Sequence, residues 1–206
     1  MESSFKNKWS RKAPARPLNL LAQFRKKIQE AGIDNLTGIL RRELLDSRLN
    51  ELINELKMGN KRSGAPDRAG FMVIFLDLDG LKSINDKHGH TTGDVALVLF
   101  GERLSGIVKR KDIDRIYRYG GDEFVMVLPI DGVESDTDEN ARLTFQRIKN
   151  EVNQDLFIPE GDKIEASMGY SVYKKSDIDK SPDEIIKEAD DKMYENKKAR
   201  KAGRTT

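Results

Sequence analysis

Apolar and polar positions follow two rhythms along this chain, one typical of helices and one typical of strands. Apolar residues that recur every three or four positions predict helices at residues 37–58, 93–108 and 141–152, and in a last segment that includes 189–201. Short apolar runs predict strands at residues 71–80, 113–119, 123–128 and 163–173. Because helices and strands interleave, we expect them to pack around one sheet.

Turn and capping residues mark the boundaries of these elements. Residues 59–70 form a Gly/Pro/Ser-rich loop, and the acidic residues 131–140 are interpreted as a second loop. Ser181 is a suitable N-cap, Pro182 suits a first helical turn, and Glu184 completes a capping box. The last helix is therefore expected to begin at this point.

The strands indicate a mixed sheet. The strand "FMVIFLDLDG" at 71–80 is almost continuously apolar, which predicts a central strand buried on both faces, with Asp77 and Asp79 at its carboxyl end. The two strands at 113–119 and 123–128 are joined through a pair of glycines, which predicts a tight hairpin with positive φ at the turn. A hairpin makes the sheet partly antiparallel, so the predicted fold class is α+β (mixed α/β), a central mixed sheet flanked by helices.

The first thirty residues differ from the rest. Residues 1–17 are polar and basic and contain two prolines, which predicts a disordered basic tail. Residues 18–33 are interpreted as a leading amphipathic helix and linker. The apolar positions that support this helix are Leu18, Leu21, Ala22, Phe24 and Ile28. Packing of this helix against the domain is the favoured interpretation, and pairing with a second copy is the alternative.

Composition excludes several classes of function. The chain has 206 residues, is 37% hydrophobic and 35% charged, and carries a net charge of +2, which is typical of a soluble globular protein and gives no support to nucleic-acid binding. It has no cysteine, which excludes disulfides and thiolate metal sites. It has neither an apolar signal segment nor a run of about 20 apolar residues. We therefore expect a cytoplasmic protein without a membrane or nucleic-acid partner.

The acidic residues give the first indication of chemistry. Asp77 ends a buried strand, and Asp122 and Glu123 lie at the predicted hairpin. If the strand and hairpin are neighbours, three carboxylates converge, and their mutual repulsion of several kcal/mol calls for a divalent cation. Oxygen ligands without cysteine select Mg²⁺ or Mn²⁺. Either acidic motif alone is more often structural. His88 and His90 are interpreted as packing and hydrogen-bonding residues of a turn, not as metal ligands.

Residues between the two acidic motifs suggest a nucleotide. The segment "GLKSIND" opens with a glycine turn into Lys82, where backbone amides and the lysine are suited to phosphate oxygens. Asn85 and Asp94 together are suited to the edge of a guanine base, with the carboxylate accepting from its N1 and N2 hydrogens. Helix capping is the alternative interpretation of Asp94, which follows Gly93.

Taken together, these motifs resemble those of the GGDEF domains, the diguanylate cyclases. The resemblance rests on "DNLTGILRR" at 34–42, "DLDGLKSINDKHGHTTGD" at 77–94, "RYGGDEF" at 118–124 and "ADDKMYENKK" at 189–198. It implies a palm-like nucleotidyl cyclase fold over residues 34–206, with the signature on a β-hairpin. It also implies condensation of two GTP into cyclic di-GMP and two pyrophosphates, by two domains that face each other in a transient or stable homodimer.

The resemblance assigns a role to individual positions. It implies metal binding by Asp77, Asp122 and Glu123 and by the backbone carbonyl of Leu78. Asp122 and Glu123 are also the implied catalytic residues, with Asp122 as the base for the 3′-hydroxyl. The implied substrate-binding residues are Gly80, Leu81, Lys82, Asn85, Asp94 and Lys197. For the arginine that follows the last lysine in the family, the candidates here are Lys201 and Arg204.

Three positions depart from the family pattern. Arg41 replaces a usual asparagine, and Leu81 replaces a usual phenylalanine. The product-inhibition motif RxxD is represented by Lys111 and Asp114. Lysine does not make the forked contact that arginine makes to phosphate or guanine, so we expect weak or absent feedback inhibition. Arg110 and Arg115 are the alternative arginines for this site.

A second class of function competes with the enzyme. A catalytically silent GGDEF domain would act as a nucleotide-binding or protein-interaction module. The complete set of acids and the Asn85 and Asp94 pair favour the enzyme, because a silent module has no chemical need for all of them. A mixed GMP-AMP product is disfavoured, because Asp94 would face an acceptor nitrogen of adenine without a hydrogen bond.

Overall fold

The computed structural model describes residues 31–58, 68–110, 113–177 and 179–203. The predicted basic tail at 1–17 lies outside the described residues, as does the predicted leading helix at 18–33 apart from its last three positions. Lys111 and Arg204 also lie outside them. Within the described part of the chain, no helix is both long and apolar enough to cross a bilayer.

Five strands and five α-helices are interspersed along the described part of the chain. The strands are β1 Leu40–Arg41, β2 Arg68–Asp79, β3 Arg115–Arg118, β4 Glu123–Asp131 and β5 Glu165–Lys174. The α-helices are α1 Leu45–Met58, α2 Leu81–His88, α3 His90–Ile107, α4 Thr137–Val152 and α5 Pro182–Gly203. Short 3₁₀ turns occupy Arg42–Leu44, Glu134–Asp136 and Lys175–Asp177.

The described strands form a five-stranded mixed sheet in the order β1-β3-β4-β2-β5. The long strand β2 is antiparallel to both β4 and β5, β3 is antiparallel to β4, and β1 is parallel to β3. Ten consecutive residues of β2 are buried, which confirms the prediction of a central strand covered on both faces. The predicted α+β class with a mixed sheet is confirmed.

Alternate residues of β2 face two separate cores. Met72, Ile74 and Leu76 pack with apolar residues of α2, α3 and α4. Phe71, Val73 and Phe75 pack on the opposite face with α1 and α5. The two-residue period of a strand explains this division, because successive side chains point to opposite faces. The sheet therefore lies between two helical layers.

The prediction of a helix at 37–58 is wrong for its first eight residues. Residues 37–44 are not α-helical, and α1 begins at Leu45. Leu40 and Arg41 instead pair in parallel with Tyr117 and Arg118 at the edge of the sheet. Backbone pairing with a neighbouring strand overrides a local apolar period that suits a helix.

Three other local predictions need correction. Residues 81–88 form a short helix where only a turn was predicted, and Ile84 is its one buried residue, too few for a periodic signal. Helix α4 begins at Thr137, inside the predicted acidic loop, and its first turn carries Asp138 and Glu139, which the helix dipole favours there. The glycines of the hairpin are not in the left-handed region, since neither Gly120 nor Gly121 has a positive φ.

The predicted start of the last helix is confirmed. Glu184 Oε2 accepts hydrogen bonds from the backbone N–H and the hydroxyl of Ser181, each at 2.8 Å. The backbone N–H of Glu184 donates to Ser181 Oγ at 3.3 Å, which completes a reciprocal capping box. Helix α5 then runs for 22 residues across β5 and β2 and carries its lysines to the end of the sheet.

Candidate active site

The sheet brings the two acidic motifs together. In the antiparallel register of β2 and β4, Asp77 lies directly opposite Glu123. The backbone N–H of Leu78 donates to the carbonyl of Asp122 at 2.9 Å, so the end of β2 is joined to the signature turn. The sequence-based expectation that these stretches are neighbours is therefore confirmed in position, while their chemical roles stay predictions.

Like charges surround these carboxylates. Burial raises the pKa of Asp77, Lys197 opposes that rise, and the charges of Asp122 and Asp79 add to it. Burial also raises the pKa of Glu123, and Asp122, Asp77 and Asp190 raise it further. Each carboxylate is thus harder to ionise than in water, which means that the group as a whole favours a nearby cation.

The cation at these acids is a lysine. Lys197 Nζ lies 2.5 Å from Asp77 Oδ1, and the Asp77 side chain is only 10% exposed. Among the described residues, no three acidic or histidine side chains are grouped closely enough to hold a metal ion. The donor chemistry, carboxylate and carbonyl oxygens, fits Mg²⁺ or Mn²⁺. Lys197 therefore occupies one of the two carboxylate oxygens of Asp77.

A cleft of about 730 Å³ adjoins these acids. Its lining includes seven of the residues predicted to bind metal or substrate. They are Leu78, Gly80, Leu81, Lys82, Asp122, Lys197 and Lys201. Asp79, Ser83, Asp86, Lys87 and Arg200 complete the lining. Five cationic side chains therefore face a cavity of nucleotide size, which suits the negative charge of a triphosphate.

Gly80 shapes one wall of this cleft. Its backbone is left-handed, with φ 81°, and it is the N-cap of α2, so the chain turns sharply from β2 into the helix. The first N–H groups of a helix lack intrahelical partners and favour anions. Lys82 lies in this first turn and is exposed. The predicted phosphate turn is thus the start of a helix.

Arg200 and Asp79 form a second ion pair that the sequence-based assignment missed. Arg200 Nη1 lies 3.0 Å from Asp79 Oδ2, and Arg200 Nη2 lies 3.1 Å from Glu165 Oε2. The Ser167 hydroxyl donates to Asp79, with oxygen separations of 2.9 and 3.0 Å. Helical spacing from Lys197 was the available signal, because residues three and four positions later share a face. That reasoning named Lys201 and overlooked Arg200.

The predicted guanine readers lie on two helices that approach closely. A Cβ on Gly93 would collide with the side-chain amide of Asn85, so any larger residue at this contact between α2 and α3 would displace Asn85. Asn85 Oδ1 is buried and has no hydrogen-bond partner among the described residues. Asp94 is exposed and is the fifth residue of α3, whose N-cap is Gly89, so the capping interpretation of Asp94 is wrong. Neither side chain lines the cleft itself.

The two histidines have different surroundings. His88 Nε2 lies 2.6 Å from Asp162 Oδ2, which confirms the prediction that it makes hydrogen bonds. Lys87 donates to both oxygens of the same carboxylate at 3.1 Å. His90 is exposed at the start of α3.

Asp34 supports the signature turn from a distance along the chain. Its Oδ1 accepts from the backbone and hydroxyl of Thr37 at 2.9 and 2.7 Å and from Arg118 Nη1 at 2.9 Å. Although burial opposes ionisation, these hydrogen bonds lower the pKa of Asp34. Arg118 Nη2 donates to the carbonyl of Gly121 at 2.8 Å. Arg41, the departure noted above, lies beside Arg118 in the sheet register.

Asp114 and Arg110, which were predicted for the product-inhibition site, are paired with each other. Asp114 is buried, and Arg110 donates to its Oδ1 through Nη2 at 2.8 Å and through Nε at 3.2 Å. The other guanidinium nitrogen of Arg110 donates to Asp131 at 2.9 Å. Arg110, one of the alternative arginines for this site, is thus held by partners in its own domain.

Comparison with known proteins identifies relatives of this chain. It is 33% identical over 174 residues to the "Bifunctional diguanylate cyclase/cyclic di-GMP phosphodiesterase MucR" of Pseudomonas aeruginosa, covering 84% of this chain and 23% of MucR. It is 28% identical over 173 residues to "Diguanylate cyclase DgcP" of Escherichia coli, covering 83% of this chain and 46% of DgcP. The chain therefore spans less than half the length of both relatives.

Solved structures share the fold. A sensory box/GGDEF family protein from Caulobacter crescentus aligns with a TM-score of 0.67 and 27% identity, covering 82% of this chain and 99% of that chain. Residues 31–203 match the family described as "Diguanylate cyclase, GGDEF domain". This match covers all four stretches on which the resemblance was based, and the chain belongs to the GGDEF family of diguanylate cyclases.

Proposed function

We propose that this domain is an active, metal-dependent diguanylate cyclase, which condenses two GTP into cyclic di-GMP and releases two pyrophosphates. One observation carries the proposal: Asp77 lies directly opposite Glu123, beside a cleft lined by five cationic side chains. Carboxylates that can bind a metal, next to cations that can bind phosphates, match the needs of a metal-bound triphosphate. Mg²⁺ or Mn²⁺ would neutralise the carboxylates and polarise the phosphates when bound.

The chain's own residues bind and orient the nucleotide. Lys82, Lys197 and Lys201 face the cleft and would hold the phosphate oxygens. Asn85 offers a buried amide oxygen without a partner, and Asp94 offers an exposed carboxylate one residue beyond the close contact at Gly93. A guanine edge supplies the donors that both oxygens lack. The base would then lie between α2 and α3, with the phosphates toward α5.

Asp122 acts on the attacking hydroxyl in this proposal. The 3′-oxygen of one nucleotide forms a bond to the α-phosphorus of the other, and the bond from that phosphorus to the β-phosphate oxygen breaks. Asp122 takes the hydroxyl proton, and pyrophosphate leaves with the electron pair. Each cleft has room for one GTP, so two domains must face each other, and a transient or stable homodimer is part of the proposal.

A silent nucleotide-binding module is the second candidate, and one observation favours it. Lys197 occupies an oxygen of Asp77, and no metal-binding cluster is assembled among the described residues. A domain that kept this ion pair in the presence of GTP would bind the nucleotide without turning it over.

Incubation with GTP and Mg²⁺, with the product identified by mass, separates the two candidates. We expect cyclic di-GMP from the wild type and none from Asp122→Ala. Asp191→Ala is the matched control, because Asp191 is an exposed acid paired with Lys187 on the outer part of α5. Nucleotide binding without product in the wild type would support the silent module.

A further inference from the structure

Lys197 lies between two environments, the carboxylate of Asp77 and the cleft. Its ammonium lies 2.5 Å from Asp77 Oδ1, and its side chain is 22% exposed. It also lines the 730 Å³ cleft with Lys82 and Lys201. A lysine carries a compact charge on a flexible four-carbon stem, so a modest rotation of its side chain moves that charge from one surrounding to the other.

The pairing with Asp77 meets a local need. A carboxylate that is only 10% exposed costs free energy unless a cation compensates it. Among the described residues, Lys197 is the cationic side chain that forms an ion pair with Asp77. The nearby cation Arg200 pairs with Asp79, which also accepts a hydrogen bond from Ser167, so Arg200 does not compensate the charge of Asp77. Asp77 therefore depends on Lys197 whenever no other cation is present.

We propose that Lys197 is an exchangeable counter-ion of Asp77, which a divalent metal replaces while the lysine turns to the triphosphate. The inference rests on the proposed function for the identity of these two ligands. A metal that binds alone must break the ion pair and leaves Lys197 without an anion. A metal that binds with a triphosphate provides one, so the two ligands strengthen each other's binding, as reciprocal coupling requires.

An exchangeable counter-ion differs from a simple phosphate contact in how its removal changes metal affinity in the absence of nucleotide. Removal of a phosphate-binding lysine weakens nucleotide binding and has little effect on metal affinity in the absence of nucleotide. Removal of an exchangeable counter-ion also weakens nucleotide binding, but it strengthens metal binding in the absence of nucleotide, because the metal no longer competes with an ammonium.

The test is a Mn²⁺ titration of the nucleotide-free protein, followed by electron paramagnetic resonance of the free ion. We expect Lys197→Met to bind Mn²⁺ roughly five- to tenfold more tightly than the wild type, a change of about 1–1.4 kcal/mol. Lys197→Arg keeps a cation near Asp77 and is expected to remain close to the wild type. Lys82→Met removes the same charge from the same cleft without touching Asp77 and serves as the matched control.

A second titration includes a GTP analogue with a non-cleavable bond between the α- and β-phosphates. The analogue should tighten Mn²⁺ binding in the wild type, and this gain should shrink severalfold in Lys197→Met. Lys197→Gln replaces the methionine variant if circular dichroism shows that Lys197→Met is unfolded. Equal or weaker Mn²⁺ affinity in the variant, including no detectable binding in either protein, would overturn the inference.

Failure of this inference and failure of the proposed function are distinguishable. The Mn²⁺ titration uses no GTP turnover, so a protein that makes no cyclic di-GMP still shows or lacks the exchange. Conversely, the wild type can make cyclic di-GMP while Lys197→Met has unchanged Mn²⁺ affinity. In that case the proposed function stands and the counter-ion exchange is refuted.

Discussion

Asp77 and Glu123 lie directly opposite each other on the antiparallel strands β2 and β4, and the negative charge of Asp77 adds to the rise in the pKa of Glu123 that burial causes. This pairing joins the central strand to the signature turn and concentrates negative charge beside the cleft.

Removal of the Glu123 charge should stabilise the metal-free protein at neutral pH. Burial and the neighbouring acids raise the pKa of Glu123 above its ordinary value of 4.5, so the folded state holds this proton more tightly than the unfolded state. Stability is therefore lost as pH rises from about 4.5 through the raised pKa. We expect Glu123→Gln to raise the Tm by about 2 °C at pH 7, a small shift because solvent screens the charge, and by nothing near pH 4.

Differential scanning fluorimetry in the presence of a chelator measures this effect. Glu139→Gln is the matched control, since Glu139 is exposed and pairs with Arg142. A Glu123→Gln variant that is less stable than the wild type at pH 7 would contradict the repulsion argument.

Loss of Arg118 should disturb the signature turn. Arg118 joins the Asp34 carboxylate to the carbonyl of Gly121, so Arg118→Met breaks two hydrogen bonds and leaves Asp34 partly unpaired. We expect a loss of about 2 kcal/mol in the free energy of unfolding and at least a tenfold fall in kcat. A double-mutant cycle with Asp34→Asn should show strong non-additivity, and purely additive losses would show that the two residues do not act together.

A methyl group at Gly93 should weaken GTP binding. The added Cβ would collide with the Asn85 side chain and push its amide away from the position proposed for the base. We expect Gly93→Ala to raise the Kd for a non-hydrolysable GTP analogue by about tenfold, measured by calorimetry. Gly106→Ala on the same helix is the control, because its Cβ meets nothing within 4 Å, and it should be neutral or stabilising by up to about 1 kcal/mol.

Loss of Arg200 should raise the KM for GTP. Arg200 pairs with Asp79 at the cleft wall and with Glu165 beside it, and Arg200→Met removes the cation that compensates Asp79 where the phosphates are proposed to bind. We expect KM to rise about tenfold with a smaller change in kcat, from initial rates of pyrophosphate release. Lys198→Met, which removes an exposed lysine stacked on Tyr194, should leave KM unchanged. An unchanged KM in Arg200→Met would show that Arg200 does not contribute to GTP binding.

Feedback inhibition should be weak. The product motif carries Lys111 in place of arginine, and Arg110 is held by Asp114 and Asp131. Initial rates measured with added cyclic di-GMP at micromolar concentration should stay close to the uninhibited rate. Lys111→Arg should increase the inhibition, because a guanidinium supplies the forked contact that lysine lacks. Clear suppression of the wild type by micromolar product would contradict this expectation.

Local patterns predicted much of this fold. The buried strand around Asp77, the helices α3 and α5 and the capping box at Ser181 follow from apolar spacing and capping chemistry, which depend on near neighbours. Residues 37–44 were misassigned because their pairing with β3 depends on residues far away along the chain. Helix α2 was missed because eight residues with one buried side chain give no period.

The sequence by itself determined the types of residue in the candidate site: acids after a buried strand, acids at a glycine turn and lysines on the last helix. These properties belong to short stretches of chain and can be read from them. Only the tertiary structure decided that Lys197 meets Asp77 across 120 residues and that Arg200 takes Asp79. Such contacts depend on how helix α5 docks on the sheet, and that docking is set by the packing of the whole core, which no local pattern records.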